Sequence, residues 1–156
     1  RHTRLQGDWS SDVCSSDLIP VIANGDVIDS STASECLQAT GASGLMIGRG
    51  AIGRPTIFYE IKRDLGWITG PPPWGEGGDA IARQWCWNRY LELCEEIYGD
   101  NRNKNLKRHA VSFTKGLPGA SAMRVDLHGE GDQRKLGRMV SEYLERLASL
   151  NEATAA

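Results

Sequence analysis

Two short apolar runs, each closed by a glycine-bearing turn, alternate with amphipathic stretches through the first 65 residues. Ile19-Pro20-Val21-Ile22-Ala23 is rich in β-branched residues, shows no polar alternation and ends at Asn24-Gly25-Asp26. That is the pattern of a parallel strand buried on both faces. Asp29-Ser30-Ser31-Thr32 then offers N-cap side chains, with Glu35 three residues after Thr32 in capping-box spacing. The spacing predicts a helix running to about Thr40 and stopping at Gly41, with Cys36 and Leu37 facing inward. A second strand, Gly44-Leu45-Met46-Ile47, ends at Gly48-Arg49-Gly50. Behind Pro55, which suits a first helical turn, a second helix is expected over 56–65 with Ile57, Phe58, Ile61 and Leu65 as its apolar stripe. Strand, helix, strand, helix with short connections predicts parallel α/β structure.

The pattern changes at 67–78, where Pro71-Pro72-Pro73 and several glycines predict a linker and domain boundary. Everything beyond it is helical. One helix is expected from about Asp79 to Tyr98, with Ile81, Trp85, Leu91, Cys94 and Tyr98 for a core and Gly99 as its stop. A second runs from about Lys104 to Lys115 and halts at Gly116-Leu117-Pro118-Gly119. A third runs from about Gln133 to Leu150, with Leu136, Met139, Val140, Tyr143, Leu144 and Leu147 at helical spacing. Three amphipathic helices with short loops make a small bundle over 79–150, and residues 151–156 read as a disordered tail.

Composition narrows the class. The 156 residues carry 18 Lys+Arg against 20 Asp+Glu, a formal charge of -2, with 40% hydrophobic and 24% charged residues. This describes a globular chain with enough length for a real core. No apolar run reaches the ~18–20 residues that span a bilayer, and no membrane partner is expected. Four cysteines without disulfide-framework or metal-ligand spacing point to packing residues in a reducing, cytoplasmic setting and to no metal site. One segment stands apart: residues 8–18 repeat Ser-Ser-Asp and have no apolar face. They resemble the translation of a sequencing-library adaptor, so 1–18 read as an artefact or a spliced remnant, with no biology in Trp9 or Cys14. The chain opens on Arg1 and reads as a fragment.

Candidate chemistry sits at the two strand ends. Asn24-Gly25-Asp26 and Gly48-Arg49-Gly50 each open toward a predicted helix, where glycine lets backbone N–H groups approach a phosphate and the helix dipole favours an anion. Arg49 adds a bidentate donor. The alternative is a pair of ordinary βα turns.

The same residues carry a resemblance. Ile19-Pro-Val-Ile-Ala-Asn-Gly-Asp26, Thr40-Gly-Ala-Ser-Gly-Leu-Met-Ile-Gly-Arg-Gly-Ala51 and Gly53-Arg-Pro55 resemble the last two βα units of tRNA-dihydrouridine synthases. Lys107-Arg108-His109 and Lys115-Gly-Leu-Pro-Gly119 followed by Arg124 resemble that family's helical domain, so the likeness covers roughly 19–147. It implies an α/β fold, the last two βα units of an FMN-binding (β/α)8 TIM barrel over 19–66, then a small C-terminal helical bundle that binds tRNA. It implies FMN contacts at Asn24, Gly25, Asp26, Gly48 and Arg49, and NADPH as reductant of the flavin. It implies reduction of a tRNA uridine to dihydrouridine by a parent enzyme expected to be monomeric. The family's proton donor is a cysteine in an Asn-x-x-Gly-Cys-Pro-like motif. No such motif occurs here, and Cys14, Cys36, Cys86 and Cys94 lie in other contexts. No catalytic residue is therefore assigned, and the fragment by itself is expected to be inactive.

The charge distribution supports an RNA partner separately. Between Asn101 and Arg124 stand Arg102, Lys104, Lys107, Arg108, Lys115 and Arg124 with no acidic residue, a concentration suited to phosphates or to a solvated helix face. Lys107, Arg108, His109, Lys115 and Arg124 are the RNA-binding candidates. Trp85, Trp87 and Tyr90 offer rings for base stacking, although Trp85 is expected to pack within the bundle. Two other readings stay open: another FMN-barrel oxidoreductase, dihydroorotate-dehydrogenase-like, and a stand-alone RNA-binding helical module.

Overall fold

The computed structural model describes residues 19–75, 78–99 and 105–155. The expectations for 1–18, and for Arg102 and Lys104, lie outside them. The chain divides into two compact units that part between Gly50 and Ala51.

The first unit holds β1 (Ile22–Asn24), α1 (Ser30–Thr40) and β2 (Gly44–Met46). The strands pair in parallel with Ile22 opposite Gly44, Ala23 opposite Leu45 and Asn24 opposite Met46. The helix between them makes a βαβ crossover, as the alternating pattern implies. The capping box differs from the expected one. Asp29, not Thr32, is the N-cap: its carboxylate accepts from the Thr32 backbone N–H at 2.8 Å, and the Thr32 hydroxyl oxygen accepts from the Asp29 N–H at 3.1 Å. Asp can cap from the β region while Thr supplies the returning acceptor, so the box closes three positions early. Gly41 ends α1 at φ 63°, its N–H donating to the Leu37 carbonyl. The strands are not buried on both faces: Ile22 and Met46 are more than half exposed, and among the unit's described residues only Val27 and Ala33 reach the core. Cys36 and Leu37 are half-buried.

The second unit holds α2 (Ile57–Asp64), α3 (Asp79–Tyr98), α4 (Leu106–Thr114), α5 (Ala120–Gly129) and α6 (Gln133–Ala155). Its core is one cluster around Trp87, Leu127, Leu136, Val140 and Leu144. On α3 the buried tryptophan is Trp87, whose Nε1 donates to the Gly137 carbonyl on α6 at 3.2 Å. Trp85 and Tyr98 are exposed instead of packing inward as expected. Two residues on a helix point about 200° apart, so burying Trp87 turns Trp85 outward.

A fourth long helix, α5, separates the expected second and third. Ala120, Met123 and Leu127 form its buried stripe between the breakers at 116–119 and 129–131. The tail also differs, since α6 continues through Ala155. Asn151-Glu-Ala-Thr-Ala155 contains no glycine or proline to stop a helix already running. The expected linker at 67–78 is tied into the second unit where it is described: Tyr59 Oη donates to the Gly70 carbonyl at 2.6 Å, and Trp74 packs edge-on against Tyr59.

Candidate functional site

Parallel pairing brings the two glycine turns side by side. Since Asn24 faces Met46 across the β1–β2 register, Asn24-Gly25-Asp26 and Gly48-Arg49 emerge from adjacent strand ends on the same edge. This is the end of an open parallel sheet where ligands are usually held. An ion pair spans the turns, Arg49 Nη2 to Asp26 Oδ1 at 2.6 Å, with both side chains almost fully exposed. Asp26 holds a left-handed backbone, φ 29°, which Asp tolerates better than most residues. All five flavin candidates, Asn24, Gly25, Asp26, Gly48 and Arg49, are exposed at this edge.

The glycines do different work. A Cβ at Gly25 or Gly48 would enter open space, so those backbones can be approached from outside. A Cβ at Gly50 would collide with the Val27 carbonyl. Gly50 is therefore a packing glycine that lets the loops after β1 and β2 touch. The α1 N-terminus is already closed by the Asp29 carboxylate, an anion on the positive end of the helix. The backbone at Gly48 and the Arg49 side chain are open to solvent, whereas the α1 N-terminus is capped. The donor set and the open backbone fit a phosphate group, with Asp26 as the arginine's resting partner.

The RNA candidates lie on α4, the turn after it, and α5. Arg108, Lys115 and Arg124 are exposed. Lys107 is half-buried, and its Nζ donates to the His128 carbonyl at 3.1 Å, pinning α4 to the end of α5. The Lys115 carbonyl accepts from Arg83 Nη1 at 2.8 Å; the same nitrogen reaches the Phe113 carbonyl, so Arg83 covers the negative end of α4. His109 stands apart from the exposed cations: it is half-buried, with Nδ1 2.7 Å from Tyr90 Oη. Burial, and then the neighbouring Arg108 charge, hold its pKa below 6.5, so the ring is neutral at pH 7.

Cys86 does not look like a nucleophile. Burial foremost, and Glu60 next, push its thiol up to about 11, so it stays protonated. Among the described residues no group of three or more His, Cys, Asp or Glu is placed to hold a metal ion, and no helix is long and apolar enough to cross a membrane. Sequence reasoning missed Arg83, and Thr56 with the cleft it lines. Thr56 is buried, and its hydroxyl has no hydrogen-bond partner among the described residues.

Known proteins resemble this chain over most of its length. A family model described as "Dihydrouridine synthase (Dus)" matches residues 3–149. A probable tRNA-dihydrouridine synthase 1 from Synechocystis sp. (strain ATCC 27184 / PCC 6803 / Kazusa) is 32% identical over 124 residues, covering 80% of this chain and 34% of that protein. A probable tRNA-dihydrouridine synthase from Mycobacterium tuberculosis (strain CDC 1551 / Oshkosh) is 33% identical over 112 residues, 68% of this chain and 26% of its own length. The tRNA-dihydrouridine synthase B of Yersinia pestis is 40% identical over 97 residues, 61% of this chain and 28% of that one. The chain thus spans about a quarter to a third of the length of these curated relatives.

Proposed function

The chain belongs to the dihydrouridine synthase family, and from that premise we propose that it is the C-terminal part of a protein that reduces uridine in tRNA to 5,6-dihydrouridine. In this reading residues 19–66 complete an FMN-binding (β/α)8 barrel and 79–150 form a tRNA-binding helical domain. The observation that carries it is the joined strand edge: two glycine turns, open at Gly25 and Gly48, with Arg49 held between them by Asp26. Arg49 would neutralise the flavin phosphate, the Gly48–Gly50 backbone would donate to it, and Asn24 would contact the adjoining chain of the cofactor. Bound FMN, reduced by NADPH, supplies the hydride that such chemistry needs.

The polypeptide's other task is to hold the RNA. Arg108, Lys115 and Arg124 present exposed charge to phosphates, and a base to be reduced must leave its stack to reach a flavin. No residue of this chain is assigned as the proton donor, and the 156 residues alone are expected to retain no stoichiometric flavin and no activity.

The test pairs the chain with the same protein restored to the length of its relatives. The restored protein should be yellow with FMN and convert an unmodified tRNA transcript when given NADPH, and Arg49→Ala should release the flavin. The 156-residue chain should bind the transcript with strong salt dependence. A restored protein that binds tRNA without flavin would favour the stand-alone RNA-binding module, which the self-contained core of the helical unit supports. Flavin without tRNA binding would favour another FMN-barrel oxidoreductase.

A further inference from the structure

The helical unit contains a cleft of about 540 Å³ that the flavin edge does not use, bordered by α2, α3 and α4. Seven of its fifteen lining residues carry aromatic or imidazole rings. Aliphatic side chains, which would suit a helix or a lipid tail, are the minority. The rings form two connected series. Tyr59, Trp74 and Trp85 follow one another at 5.2 and 5.9 Å between centroids. Tyr90 then joins His109 at 5.2 Å and Phe113 at 6.1 Å. Trp85 and Phe58 are 43% and 44% exposed, large apolar surface left open to solvent where the cleft opens.

Polar groups in the cleft are few and specific. Thr56 lines it, and its buried hydroxyl has no hydrogen-bond partner among the described residues. Leaving such a group unsatisfied is costly, and an occupant with a matching donor or acceptor removes that cost. His109 lines the same cleft; with Nδ1 on Tyr90 Oη, its Nε2 can donate or accept according to the tautomer. Arg89 adds a cation, paired with Glu92 at the surface. Arg108, exposed, follows Lys107 on the helix that carries His109. Among the described residues no carboxylate lines the cleft. Flat aromatic walls, a sparse hydrogen-bonding edge and neighbouring cations match a planar heterocycle attached to a phosphate chain.

We infer that this cleft receives an unpaired nucleobase of the bound tRNA, stacked on Trp85, with Thr56 and His109 at its polar edge. This rests on the tRNA reading above and adds to it a second contact, one that reads a base instead of the backbone. It also gives His109 a role distinct from the exposed cations around it.

Binding of an unmodified tRNA transcript to the 156-residue chain, titrated across salt concentrations, tests this. Trp85→Ala removes an exposed ring, so the fold should persist, and affinity should fall roughly tenfold with an unchanged salt slope. Trp85→Phe should restore most of it. Thr56→Val should raise the melting temperature by removing the unpaired hydroxyl while weakening tRNA binding, a combination that a purely structural threonine would not give. Unchanged affinity in both Trp85→Ala and Thr56→Val overturns the nucleobase site and leaves the tRNA reading standing. No tRNA binding by the wild-type chain overturns both. A wild-type dimer in sedimentation that Trp85→Ala splits would show a second copy in the cleft, and the inference fails.

Discussion

In the helical unit Trp87, Leu127, Leu136, Val140 and Leu144 are all at or below 1% exposure, whereas in the strand unit Ile19, Ile22 and Met46 stand 71%, 58% and 59% exposed. Both stretches are rich in apolar residues. The difference is topological. An amphipathic helix needs one partner for one stripe, and four long helices provide partners for one another. A parallel strand needs covering on both faces and pairing on both edges. Among the described residues β1 has one neighbour, β2, and the unit buries only Val27 and Ala33. The exposed isoleucines are the apolar surface that two described strands leave uncovered.

The sharpest way to break this contrast is to remove one side chain from each unit. Leu144→Ala should cost 2–5 kcal/mol, because it opens a cavity in a closed core. Ile22→Ala removes a side chain that is mostly in water and should cost less than about 0.5 kcal/mol. Thermal melts followed by circular dichroism read both. Comparable losses would mean that the strand face is covered in solution and that the contrast between the units is false.

A smaller effect separates glycines that pack from glycines that stay open. Gly53 has φ 80°, and a Cβ there would run into the Ser112 backbone. Gly53→Ala should therefore destabilise the helical unit by about 2 kcal/mol or more. Gly48 faces open space without a left-handed backbone, and Gly48→Ala should leave the melting temperature of the chain nearly unchanged. Its effect should appear instead as lost FMN in the protein at the length of its relatives. A Gly48→Ala protein that keeps full flavin would remove the turn from the cofactor site.

Much of this architecture was legible in the sequence where the signal was local. The strand–helix–strand–helix order followed from β-branched runs, N-cap residues and glycine stops, and the register then placed Asn24-Gly25-Asp26 beside Gly48-Arg49 without further information. The failures came where the deciding contact was distant. Trp85 and Trp87 are equally plausible core residues by composition, and the choice between them is made by the Gly137 carbonyl fifty residues away. Helix α5 escaped notice because its stripe is built on Ala120, Met123 and Leu127, spaced i, i+3 and i+7 but short of large residues and hemmed by glycines. The aromatic cleft draws on residues from 51 to 113, so no window of sequence contains it.

The mildest perturbation is a proton on His109, and it reports on the helical unit alone. Burial and Arg108 hold its folded pKa below 6.5, with Tyr90 Oη at 2.7 Å from Nδ1. The unfolded chain therefore takes up this proton first as pH falls. A group depressed in this way contributes stability that is full above about pH 6.5 and is lost as pH drops through the folded value. The melting temperature should decline from pH 7 toward pH 5.5, and His109→Gln, which keeps a hydrogen-bonding group near Tyr90 but cannot titrate, should flatten that decline. Ile22→Ala should leave the pH dependence untouched, because it alters the other unit. If His109→Gln declines as steeply as the wild type, the acid sensitivity lies in other groups and the imidazole is not held neutral by its surroundings.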